Sequence, residues 1–346
     1  MNTLNTLNTV NIAKRKERID RAIKARCNDI YTLLSLKEIS YVIAPKLCLI
    51  LFIFIFPLLK AILGYYWERV FYITCLIAIL AISWELLSYV GLVSLGQAFV
   101  FGTGAYISGI FNINFHIPVP FSILLASGFG ALICTLILFP ASKIKGIYFA
   151  MITLCIPMFF SKVIEATEIF GGTSGISGIS PIGNYYVEMY FPALVLIGAF
   201  FCLRRLMSTD FGLLIIGIKD NEFSLMSSGI NIYKIKFFVI FLSSALGCFS
   251  GACMCHYYQF VGISAFSLDY SIIPLACSIL GGIDGFSGSL IGAFVVCPLS
   301  EMLRGFGTLR IVIYSVLLIM FILLVPEGIF SYISRKYHQI ERWKEI

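Results

Sequence analysis

Few residues in this sequence have the chemistry for a catalytic step. Histidine occurs three times, as His116, His256 and His338. The string G-x-S-G occurs at Gly172–Gly175, Gly175–Gly178 and Gly285–Gly288. A serine so placed is a nucleophile only with a base within hydrogen-bond reach, and His256 is the candidate base for Ser174 or Ser177. Those two serines sit in a Gly/Ser loop, not at the head of a buried helix, which disfavours an intramembrane protease. Cys248, Cys253, Cys255 and His256 invite a metal reading, but their spacing matches no zinc-ligand pattern. The same stretch holds Ser243, Ser244, Ala245, Gly247, Ser250, Gly251 and Ala252, the small residues of a helix interface. No G-x-x-x-x-G-K-S/T phosphate loop occurs, so the chain is not expected to hydrolyse ATP itself. We expect no catalytic residue, no metal and no cofactor of its own.

The elements that must position these residues follow from composition. Of 346 residues 59% are hydrophobic and 12% charged, with mean hydropathy +0.95; soluble domains carry about a quarter charged residues. A soluble enzyme, a secreted disulfide scaffold and a disordered chain are thereby excluded. The apolar residues come in blocks of roughly 17–22, each able to cross a ~30 Å hydrocarbon core. They lie near 42–63, 70–90, 95–113, 120–140, 147–166, 190–206, 237–257, 270–285, 288–303 and 310–326. The expected fold is an all-α polytopic membrane protein of about ten transmembrane helices, some broken or re-entrant. With the N-terminus inside, the cytoplasmic segments hold 19 of the 25 Lys and Arg. The positive-inside rule therefore places both termini in the cytoplasm, and the net charge of +7 is a topology signal, with no nucleic-acid partner implied. The expected division is a tail at 1–40, a membrane domain at 41–330 and a tail at 331–346. The first forty residues are polar and basic, without the apolar core of a leader.

Two Gly-rich segments, Gly91–Ala105 and Gly281–Val295, align at a shift of 195, with Ser94-Leu95 on Ser289-Leu290 and Ala98-Phe99-Val100 on Ala293-Phe294-Val295. Paired, Gly-interrupted segments point to a transport path; equally, glycine permits close helix packing. Glu85, about one turn from the inner end of its span, either lines a polar cavity or reaches the interface by snorkelling, and the second is preferred. Lys162 and Glu165 are spaced for a local ion pair. The middle thirds of the spans carry almost no charge, which disfavours a proton relay. An energy source outside the chain and a small, net-neutral solute are expected.

Three stretches carry a family resemblance. GLVSLGQAFVFGTGAYISG (Gly91–Gly109) is similar to a segment of the branched-chain amino acid ABC permeases. KIKGIYFAMITLCIPMFF with EIFGGTSGISGIS (Lys143–Ser180) and KDNEFSLMSSGINIYKIKFFVIFLSSALGCFSGACMCHYYQFV (Lys219–Val261) resemble further segments, as do LGGIDGFSGSLIGAFVV and VPEGIF. The resemblance covers about 85–330 and is strongest to the LivM-type subunit. It implies a coupling helix in the inner loop (about 204–236) that docks on an ATPase, at Asn221, Glu222, Phe223, Ser224 and Leu225, ended by Gly229. Ser224-Leu225 stand where the family usually has Ala-Ala, Glu85 where it commonly has Asn, and Gln97 where His is more frequent. Candidate pathway positions are Glu85, Ser94, Gln97, Gly102, Gly104, Gly281, Gly282 and Gly288. The implied partners are a second permease of the LivH type, two ABC ATPase subunits that bind the ATP, and a periplasmic binding protein. The implied site is the lipid bilayer of a bacterial inner membrane, and the implied cargo leucine, isoleucine and valine. Urea or short amides are the nearest alternative cargo, and a stand-alone channel or facilitator is the alternative of a different class.

Overall fold

The structure, a computed structural model, describes residues 60–144, 146–282 and 285–303, with isolated positions up to Gly328. The chain divides into Met1–Ile55 and Phe56–Ile346, and the second unit contains everything described below. The expected tails at 1–40 and 331–346 and the expected span at 42–63 lie outside the described residues, as does that at 310–326 apart from isolated positions.

Ten α-helices are described: α1 Lys60–Ser88, α2 Gln97–Phe115, α3 Val119–Ala141, α4 Ile147–Thr167, α5 Tyr185–Met207, α6 Asp210–Asp220, α7 Glu222–Ser227, α8 Ile232–Tyr258, α9 Asp269–Gly281 and α10 Phe286–Met302. A two-residue antiparallel pair, β1 Ile176–Ser177 with β2 Phe260–Val261, joins the loops after α4 and α8. Among the described residues six segments are long and apolar enough to cross a membrane, among them Gly64–Ser88, where α1 continues past a non-helical Gly64. Eight expected spans thus have a helix. Two begin five residues earlier than the hydropathy blocks suggested, at Tyr185 and Ile232. At α8 the reason is local: Asn231 accepts a hydrogen bond from the Lys234 amide (3.3 Å), so the capped first turn includes two lysines that depress the hydropathy. The expected block 270–285 stops at Gly281, because Gly282 takes φ +107° and turns the chain out of the helix. Each of α1–α2 and α9–α10 is a helix, a break with glycine and a second helix, but not in the register of 195, which would set the first residue of α2 at position 292, inside α10.

α8 packs against α1, α2 and α3, and α9–α10 pack together against α1. α4 and α5 are peripheral, mostly exposed around their circumference. Between α2 and α8 the backbones touch. A Cβ on Gly104 would overlap the Cys248 backbone, and one on Gly251 would overlap the carbonyl of Phe101. Small residues at such contacts let two helices approach where lipid gives no hydrophobic drive to associate. Hydroxyls then tie the helices. Ser83 of α1 bonds the Ser243 carbonyl of α8 (3.0 Å) and Ser243 returns a bond to the Ser83 carbonyl (2.8 Å), while Ser250 donates to the Leu76 carbonyl (2.9 Å). Gly251→Val forces α2 away from α8, with an overpacking cost of about 1–3 kcal/mol. We expect a lower melting temperature in detergent and less monodisperse protein; an unchanged thermal midpoint contradicts this account.

Candidate functional site

One end of the bundle collects the turns 88–96, 141–146, 207–231 and 282–285. There the expected loop 204–236 is mostly helical. The amphipathic α6 buries Gly212, Ile215 and Ile218 and leaves Leu213 exposed; hydropathy blocks of spanning length do not reveal an 11-residue helix. α7 is short but held at every point. Asn221 caps it by accepting from the Ser224 amide (3.2 Å). Leu225 lies against Gly217 of α6. Gly229, at φ +80°, ends the helix with its amide on the Met226 carbonyl (3.0 Å), and the Ile230 amide reaches back to the Leu225 carbonyl (3.3 Å), the left-handed stop that glycine favours. Glu222 forms an ion pair with Lys236 of α8 (2.6 Å), with side chains 14% and 3% exposed. Lys236 also donates to the Ser142 carbonyl in the α3–α4 turn (3.4 Å). Phe223, 75% exposed, and Met226 stand out from this frame. A cavity of about 240 Å³ separates Val90–Leu92 from Ile218–Phe223.

Deeper at the same end is a buried polar layer. Glu85 is 0% exposed. Its carboxyl accepts from the Ser289 hydroxyl of α10 and from Tyr89 (3.3 Å), and Ser289 also bonds Ser278 of α9 (2.8 Å). The preferred snorkelling reading of Glu85 is therefore corrected: the hydroxyls of Ser289 on α10 and of Tyr89 hold the carboxyl inside the bundle, where it stitches α1 to α10. Gln97 is buried, with its side-chain carbonyl accepting from Ser83 (3.4 Å); its Nε2 has no hydrogen-bond partner among the described residues. Ser94 accepts from the Gly96 amide (3.1 Å), and its carbonyl takes the Trp84 indole N–H (2.7 Å). The candidate glycines make helix contacts: Gly102 meets the Phe266 ring, Gly104 the Cys248 backbone, and Gly281 and Gly282 the Gly288 backbone. Their close packing is visible, whereas no cavity described here is lined by any of the eight candidate pathway positions.

The opposite end explains the remaining candidates. His256 sets one ring nitrogen against the Ser180 carbonyl (2.8 Å) and the other against the Ser108 hydroxyl (2.9 Å). A carbonyl only accepts, so Nδ1 carries the hydrogen and Nε2 accepts from Ser108. Its serine partner is thus Ser108, and Ser174 and Ser177 are exposed. With the Asn112 side chain accepting from the Ser180 amide (2.9 Å), this contact pins the loop after α4. The cysteines serve separate contacts: Cys248 donates to the Val100 carbonyl (3.2 Å) and the Cys253 carbonyl accepts from Tyr72 (3.0 Å). Lys162 and Glu165 pair at 2.7 Å on the exposed face of α4, as expected.

Six apolar segments of spanning length around a polar-stitched core define a multi-pass membrane protein. Residues 66–325 match the family described as branched-chain amino acid transport system / permease component, and the chain belongs to that family. Among its relatives is the high-affinity branched-chain amino acid transport system permease protein LivM of Escherichia coli, 23% identical over 278 residues, covering 69% of this chain and 64% of the relative. A probable branched-chain amino acid transport permease protein LivM of Methanocaldococcus jannaschii is 26% identical over 217 residues, covering 59% and 62%. A probable LivH permease of the same organism is 29% identical over 157 residues, covering 42% and 48%. The chain spans less than two thirds of the length of these relatives.

Two outcomes test the geometry. Lys236→Met removes the cation from the part-buried Glu222 carboxylate and loosens α7, at about 1–3 kcal/mol. Amide exchange over 222–230 should then quicken about tenfold or more with the spanning helices unchanged; equal exchange rules out the pinning. Glu85→Leu leaves the buried Ser289 hydroxyl without its carboxylate acceptor and should lower the melting temperature more than Glu85→Gln, which keeps one. A reversed order would show that the hydroxyls do not depend on it.

Proposed function

We propose that this chain is one permease half of a binding-protein-dependent ABC importer that carries branched-chain amino acids across a bacterial inner membrane. Covalent chemistry and cofactors are absent from this role: ATP is bound and hydrolysed by two partner ATPase subunits, a LivH-type permease supplies the second half, and a periplasmic binding protein delivers the solute. The Lys/Arg bias places the end holding α7 in the cytoplasm.

The observation that carries the reading is α7 itself. Family membership brings transport, and α7 supplies the means of drive from outside: an exposed Phe223 on a helix fixed by a cap, a glycine stop and an ion pair. Motion imposed on α7 would pass to α8 through Glu222–Lys236, to the α3–α4 turn through Ser142, and towards the end of α1, where Lys219 lies against Gly91. A free-standing channel has no use for such a knob. We propose that the route passes the two Gly-rich breaks, framed by Glu85, Ser94, Gln97, Gly102, Gly104, Gly281, Gly282 and Gly288. The glycines allow close approach there and the polar layer supplies hydroxyls to a small neutral solute.

The test is uptake of labelled leucine by cells with and without the gene, in a background lacking other leucine carriers, with excess valine or urea as competitor. Loss on deletion, with competition by valine alone, supports the reading; competition by urea alone moves the cargo to short amides. Phe223→Ser should lower uptake about tenfold or more, the factor given by ~1.4 kcal/mol of lost docking energy, with the chain still in the membrane. Full uptake by that variant favours the facilitator.

A further inference from the structure

At the end away from α7, a cavity of about 320 Å³ lies between α2, α8, the turn Ile263–Phe266 and α9. That volume is at the small end for ligand sites, suited to a single amino acid and too small for a peptide. Its walls are unlike the polar layer at the other end. Phe101 is stacked on Tyr270 with ring centroids 4.1 Å apart, making a flat, stiff apolar surface. Met254 supplies an unbranched thioether that adjusts to irregular aliphatic shapes, and Ala105 leaves room opposite.

A cation stands behind one wall. Tyr258 lines the cavity, and its hydroxyl accepts from Arg69 (3.2 Å), whose guanidinium carbon is 5.5 Å from the ring centroid. The Glu301 carboxyl acts on the same guanidinium, so an arriving carboxylate would share the cation. The wall formed by Phe260 and Val261 is backed by the pinned loop: Val261 pairs with Ile176, and the loop is tied again at Ser180 by His256 and Asn112. The cavity therefore combines an apolar slot, a cation behind its tyrosine wall and a wall strand, Phe260–Val261, tied to the loop after α4.

We propose that this cavity is a solute-holding site near the periplasmic end, taking a compact aliphatic amino acid with its side chain against Phe101, Met254 and Ala105 and its carboxylate towards Tyr258 and Arg69. This rests on the orientation and cargo argued above. The test uses the full transporter in native membrane vesicles. Ser264, exposed and on the cavity lining, is replaced in Ser264→Cys and its modification by N-ethylmaleimide is followed by peptide mass spectrometry, with exposed Cys202, in the last two turns of α5 beside Arg204 and Arg205, as the internal control.

Leucine at about twice its dissociation constant should slow modification at position 264 about threefold by mass action, with Cys202 unaffected and urea without effect. Adding Met254→Trp, which fills the slot, should abolish the protection while position 264 still reacts. Equal rates with and without leucine, in vesicles that accumulate leucine, overturn the site and leave the importer reading intact. Protection in vesicles that do not accumulate leucine keeps the site and defeats the cargo reading. Protection that survives Met254→Trp overturns the site.

Discussion

In a bilayer, apolar side chains gain little by leaving lipid for one another, so helices are held by shape and by hydrogen bonds. The near-contact of α2 and α8 at Gly104 and Gly251 is the constraint on which the other features depend. It sets the distance at which Cys248 reaches the Val100 carbonyl. The hydroxyl pairs from α8 to α1 hold the third neighbour in the same register. With α8 fixed in this way, its two termini become reference points. Lys236 at one end anchors the α7 frame, and His256 at the other anchors the loop after α4.

The two ends carry opposite kinds of polarity. Near α7, buried hydroxyls and the Glu85 carboxyl link helices whose interfaces are lined by glycine. At the far end the polar groups are concentrated at the rim, on Arg69, Tyr258 and the Ser180 clamp, with an apolar space between. A helix pair separated by a Gly-rich break appears twice, as α1–α2 and α9–α10, and both breaks lie at the α7 end. On the proposed function, a push at α7 would arrive where the long helices are interrupted, while the far end is tied by side-chain bonds.

Much of this was legible in the sequence, for identifiable reasons. Spanning blocks announce themselves because a ~30 Å core demands a fixed length of apolar chain. The short helix α7 stands where the family resemblance put one, and Asn221 and Gly229 are local signals, a cap and a stop that require no knowledge of distant residues. Glu85 was misjudged because what determines its fate, Ser289, is 204 residues away. The helix α6 was missed because eleven amphipathic residues between two spans look like a polar loop. The glycines left two readings open, since a close helix contact and a broken pathway segment ask for the same residue.

The far cavity was illegible for a deeper reason. Phe101, Ala105, Met254 and Cys255 would be equally at home facing lipid, a neighbouring helix or a solute, and hydropathy cannot distinguish these three surroundings. What separates them is three-dimensional: Phe101 meets Tyr270 across 169 positions of sequence, and Arg69 meets Tyr258 across 189. A site for an apolar solute inside an apolar protein thus leaves its mark in the polar groups at its edge. Arg69 is such a mark, one of the few cations within a span, half-buried and bonded to Tyr258.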